Sequence, residues 1–143
     1  MISERVEKLV TRFNKNSDWE DRYKHIIEMG KSLPVMEEEY KIEANKVNGC
    51  QSQVWLHAIF KDGKIVFLAD SDASITKGII SMLLEVYSGS TPDEILSTPL
   101  TFLDQIGIKE HLSMSRANGL SSMVKKITIY AMAFKAKQSA AKT

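Results

Sequence analysis

Cys50 is the only cysteine among 143 residues, and it stands in the string Gly49-Cys50-Gln51-Ser52-Gln53-Val54-Trp55. It follows Asn48-Gly49, a pair that favours tight turns, and it precedes a strand-like apolar run. Local features leave two readings open. A lone thiol can be a small buried hydrophobe. On a turn, where backbone amides stabilise an anion, it can instead be a reactive thiolate. The chemistry suited to a single loop-tip thiolate is sulfur handling. Such a group attacks a protein-bound persulfide and carries the outer sulfur away, whereas a disulfide oxidoreductase normally needs a second cysteine.

Other chemistries find less support. His25, His57 and His111 are far apart, and no CxxC or HxxxH spacing occurs, so a zinc or iron–sulfur site lacks soft ligands. No GxGxxG or GxxxxGK[ST] cradle is present for nucleotide phosphates. The seven methionines are spread along the chain and read as irregular core filling. Glu37, Glu38 and Glu39 read as a solvated approach loop, because no ladder of cation ligands follows them. A Cys50 nucleophile with His57 or His111 as base would make a hydrolase dyad. His57 lies seven residues along a predicted strand, about 20 Å away at the rise of extended chain, and no third orienting residue can be placed.

Bulk properties set the frame for these residues. The length suits one domain over 1–143, large enough for a core without staples. With 19 basic and 18 acidic residues the formal charge is +1, which gives no general pull toward nucleic acid or anionic membrane. One cysteine cannot close an internal disulfide, which points to a reducing, cytoplasmic setting. No apolar run approaches the roughly 18 residues of a membrane span, and the N-terminal stretch has no signal-peptide core. The tail from about 138 to 143 is small and polar and is expected to fray.

The elements that must position Cys50 follow from periodicity. Val6, Leu9, Val10 and Phe13 keep helical spacing. Ser17 with Glu20 fits a capping box for a second helix whose stripe is Trp19, Tyr23, Ile26 and Ile27, ending near Gly30. Lys46 to Asn48 begin a first strand. QVWLHAIF and KIVFLA flank Asp62-Gly63 and form an antiparallel hairpin, with Cys50 on the loop leading into it. DSDAS offers caps for a largely buried helix that ends at Gly89. Thr91-Pro92-Asp93-Glu94 opens a short helix, and another is expected around Phe102 to Ile106. Leu120, Met123, Val124, Ile127, Ala131 and Phe134 stripe a long final helix. The order predicts an α+β fold: a small antiparallel sheet, hairpin plus third strand, with helices on one face.

GCQSQVW, then DSDASITKGIISMLLEVYSGSTPDEI, then HLSMSRANGLSSMVKKI, together resemble the SufE family, CsdE included, over nearly the whole chain. The resemblance implies an IscU-like fold without that scaffold's cysteine ligands. It implies a sulfur acceptor that takes persulfide sulfur from a pyridoxal-phosphate cysteine desulfurase of the SufS or CsdA kind, stimulating it. The sulfur then passes to a SufB-like scaffold in iron–sulfur cluster assembly. Cys50 matches the acceptor; Gly49, Gln51, Ser52 and Gln53 form its loop; Arg116 matches a cation near it; Asp72 falls in a segment linked to partner contact. No metal or cofactor is expected on this chain, the pyridoxal phosphate residing in the partner. Met114 stands where many members have proline, so a less rigid turn before Arg116 is expected. An interaction protein that activates the desulfurase without carrying sulfur is the alternative, with the Cys/His hydrolase behind it.

Overall fold

The computed structural model describes residues 2–15, 18–34, 36–47, 53–98, 112 and 114–141, with the side chains of 114–116 and 139–141 excepted. The expected helix around Phe102 to Ile106 falls outside the described residues.

The first helix, α1 (Ile2–Asn14), buries Ile2, Leu9 and Phe13, while Val6 and Val10 pack at the margin of the core. The second, α2 (Trp19–Lys31), is capped by Asp18, whose carboxylate accepts the Glu20 N–H at 3.1 Å. A carboxylate at that position satisfies a free helix amide, and Ser17, expected to open a capping box, lies outside the described residues. The inward face of α2 is Ile26, Met29 and Gly30, and Tyr23 is 40% exposed instead of lying in the buried stripe. The helix ends at Lys31, next to Gly30 as expected, and Gly30 has a second role. It is buried where α2 crosses α3, and a Cβ there would stand 2.7 Å from the Gly78 backbone nitrogen.

Strands β1 (Val54–Lys61) and β2 (Lys64–Ser71) pair antiparallel from Val54 opposite Ser71 to Lys61 opposite Lys64. Asp62 and Gly63, both at positive φ (54° and 78°), make the type I′ geometry that matches strand twist. Alternation puts Val54, Leu56, Ala58, Ile65, Phe67 and Ala69 on the buried face. The opposite face carries Trp55, His57, Ile59, Val66 and Leu68, none of them fully buried. The third strand appears as a single antiparallel bridge, Lys46 to Trp55.

Helix α3 (Ser74–Tyr87) is buried along Ile75, Gly78, Ile79, Ile80, Met82, Leu83, Val86 and Tyr87. Its cap position is Ala73, with no side-chain cap, so the aspartates of DSDAS are free for other duties. Arg5 holds its far end, Nη1 donating to the carbonyls of Val86 and Ser88 at 3.2 and 2.8 Å. Helix α4 (Pro92–Ser97) has the full Thr91–Glu94 capping box. Helix α5 (Met114–Ala141) buries Leu120, Met123, Ile127 and Ala131 and continues into the 138–143 segment expected to fray. It lies along β1: Phe134 stacks on Phe60 at 5.0 Å, and the Tyr130 hydroxyl donates to the Leu56 carbonyl at 3.5 Å.

Candidate functional site

The sheet edge fixes where the cysteine loop begins and ends. The Val47 N–H donates to the Val54 carbonyl at 2.8 Å, next to the Lys46–Trp55 bridge. The six residues 48–53 therefore connect two positions already joined through their backbones. Gly49, Cys50, Gln51 and Ser52 lie outside the described residues.

The outgoing flank is held by Asp72. The exposed Gln53 donates its N–H to the Asp72 carboxylate at 3.1 Å, and its carbonyl accepts the Asp72 N–H at 3.3 Å. Two residues nominated one at a time from sequence thus meet. Two short turns, Glu38–Tyr40 and Glu43–Asn45, carry the incoming chain across the less buried sheet face. The Glu37 to Glu39 run is exposed, as a solvated loop should be.

Lys41 is the anchor of this segment. Its ammonium lies 3.0 Å from Asp70 and 3.3 Å from Glu38, and 5.6 Å from the Trp55 ring centroid. Asp70 also receives the Ser71 N–H at 2.8 Å and faces Lys77 of α3 at 3.5 Å. Burial pushes the Asp70 carboxyl up, but the Lys41 hydrogen bond, the Ser71 amide and the Lys77 charge together hold it below its ordinary value. The same bond to Asp70, then that to Glu38, raises Lys41 against a smaller burial effect.

The histidines do not assemble. His25 tilts against Phe13, its pKa lowered by burial and by the charge of Arg12 against the opposing pull of Glu85. His57 stacks on Tyr40 at 4.4 Å, with its Nδ1 3.4 Å from Oδ1 of the Asn45 side chain. Buried Asn45 in turn donates to the Tyr40 carbonyl at 2.8 Å. An orienting amide therefore does stand beside His57, although sequence spacing could not place one. Among the described residues no cluster of His, Cys, Asp or Glu could hold a metal. Arg116 occupies the first turn of α5, which starts at Met114; its side chain is outside the described ones. An apolar groove of about 530 Å³ between α2, α3 and β2 holds Arg12 and Glu85, paired with each other at 2.8 Å, and none of the nominated residues.

The SufE profile, an Fe-S metabolism associated domain, matches residues 7–131. The chain belongs to the SufE family. An uncharacterized SufE-like protein of Synechocystis is 41% identical over 134 residues, 94% of this chain and 84% of that one. An uncharacterized SufE-like protein of Rhizobium meliloti is 42% identical over 127 residues, covering 85% and 91%. The solution structure of a hypothetical protein from Thermus thermophilus shares the fold, with a TM-score of 0.75 at 21% identity over 90% of this chain and 93% of that one. SufE membership gives the chain a sulfur-related role in Fe–S metabolism. Among the described residues no helix is long and apolar enough to cross a membrane.

Proposed function

We propose that this SufE chain is a persulfide carrier, with Cys50 as acceptor. The observation that supports the reading most is the pairing of Val47 with Val54 on either side of the short segment that carries the chain's only cysteine. The donor is a pyridoxal-phosphate cysteine desulfurase in the reducing cytoplasm. The Cys50 thiolate attacks the outer sulfur of the desulfurase's cysteine persulfide. A new S–S bond forms at Cys50, the old one breaks, and the desulfurase cysteine leaves as thiolate, so no external oxidant is needed. A thiolate of the cluster-assembly machinery then takes the same outer sulfur, and Cys50 is regenerated. Gly49, Gln51 and Ser52 shape the loop, Gln53 and Asp72 fasten it, and Arg116 supplies a cation that favours thiolate and persulfide. Docking onto the desulfurase accelerates it and brings Asp72 into the contact. No cofactor belongs to this chain in the scheme.

Intact-mass measurement after mixing the protein with its desulfurase and free cysteine tests the transfer. A sulfur adduct on Cys50, lost in Cys50→Ser together with stimulation, is the expected result. Stimulation retained by Cys50→Ser, with no adduct on the wild type, would mean an activator that carries nothing. The Asn45 amide beside His57 favours one further reading, a thiol hydrolase using Cys50 and His57. Ester or amide turnover without any partner would be its mark.

A further inference from the structure

Lys126 is a partly buried ammonium for which the sulfur-transfer scheme has no use. From the middle of α5 its Nζ reaches back across the fold to the chain entering the cysteine loop. It donates to the Ala44 carbonyl at 3.3 Å and to the Lys46 carbonyl at 3.2 Å. Its stem lies near the Tyr130 ring, 5.9 Å from Nζ to the centroid. No carboxylate pairs with it among the described residues, and burial lowers its pKa. A lysine placed for solubility would point its head into water. This one spends charge-assisted bonds on two backbone carbonyls.

The register explains what those carbonyls need. Lys46 bridges Trp55, and the adjacent Val47 N–H pairs with Val54, so this segment is the outermost piece of the sheet on that side. The outward Lys46 carbonyl at such an edge has no neighbouring strand to donate to it, and the Ala44 carbonyl belongs to the Glu43–Asn45 turn just before it. An ammonium carries three donors and can serve two carbonyls at once. Lys126 thus replaces the missing strand at Lys46 and holds the turn before it, where the chain enters residues 48–53.

We infer that Lys126 is a positioning residue for the cysteine loop, acting through the carbonyls of Ala44 and Lys46 rather than by touching sulfur. Its value for sulfur transfer rests on the carrier reading above; its hold on the loop stem does not. The test compares the full-length wild type with Lys126→Met, which keeps length and loses the donors, and Lys126→Arg, which keeps charge and donors. Amide hydrogen exchange at Val47 and the rate of Cys50 alkylation by iodoacetamide are read side by side, with Met82 and Leu83 of α3 as core references. Losing the tether should speed Val47 exchange and Cys50 alkylation by about five-fold in Lys126→Met, the factor that roughly 1 kcal/mol of local opening gives. The α3 amides should stay unchanged, and Lys126→Arg should behave like wild type. Equal acceleration at Val47 and in α3 would overturn the inference, because the lysine would then serve only global stability. So would an unchanged Val47, or an arginine variant as fast as the methionine one. If wild-type Cys50 takes up no sulfur while Lys126→Met still loosens Val47, the carrier reading fails and the tether stands.

Discussion

Replacing Asp70 by asparagine keeps the side chain's shape and removes only its charge, which isolates what the Asp70–Lys41 anchor contributes. The carboxylate is 15% exposed and Lys41 20%, so the 3.0 Å pair lies between a surface ion pair and a buried one. Exposed pairs contribute about 0.2–1 kcal/mol, and breaking buried ones costs about 3–5 kcal/mol. Lys77 is 41% exposed and 3.5 Å away, so its share is that of a surface pair. The Ser71 N–H keeps an acceptor in the amide oxygen of asparagine. We therefore expect Asp70→Asn to lose about 2 kcal/mol at neutral pH, most of it from the charge-assisted Lys41 bond.

The pH dependence carries the sign of the argument. A carboxyl held below its ordinary value in the folded chain stabilises it fully above the unfolded-state value of about 3.9, and that contribution disappears as pH falls toward the lower folded value. The deficit of Asp70→Asn should thus be full at pH 7 and narrow below about pH 4. Urea unfolding of both proteins across that range measures it, with a double-mutant cycle against Lys41→Met to isolate the pair. A deficit under about 0.5 kcal/mol at pH 7, or one unchanged at pH 3, would refute the reasoning.

Three other outcomes follow from the geometry. In Gly78→Ala the new Cβ would collide with the Ile26 carbonyl oxygen and Cγ2, so α2 and α3 must separate; a loss of about 3 kcal/mol or more by denaturant unfolding is expected, and a loss under about 1 kcal/mol would contradict the close crossing. Thr91→Ala removes the acceptor of the Glu94 N–H, 3.2 Å away, and should cost about 1 kcal/mol by the same assay. Asp72→Ala removes the acceptor of the Gln53 N–H; exchange at that amide should rise several-fold while global stability falls by no more than about 1 kcal/mol, and unchanged exchange would mean that the bond does not hold the loop's flank.

What was legible in the sequence was what neighbouring residues decide between themselves. Asp62-Gly63 dictates the hairpin because both residues must take positive φ, and Thr91 with Glu94 closes its box within one turn. The stripe on α5 is visible because one face of a long helix repeats every few residues. Gly30 carries more than its local signal. It marks the helix end, one residue from Lys31, and it also lets Gly78 approach, a requirement that comes from another helix. Ala73 shows the converse: the aspartates that looked like caps for α3 are used by Gln53 and Lys41, partners that only the folded sheet brings near.

The same division runs through the candidate site. Cys50 could be nominated from its turn setting, and Gln53 and Asp72 singly from the family resemblance. Asp70, Lys41 and Lys126 could not, since a lysine in a charged stretch or on a helix reads as solvated until its partner is known. Yet these residues set the loop's flanks. Lys41 fastens the incoming chain to β2 and α3, Lys126 fastens it to α5, and Asp72 fastens the outgoing chain. All three fastenings are polar, and the Val47–Val54 pair is the backbone bond they surround. Polar fastenings of this kind are each worth a kilocalorie or so and break one at a time, whereas a packed apolar core yields only as a whole. Flanks held in that way can open without unfolding the helices and sheet behind them.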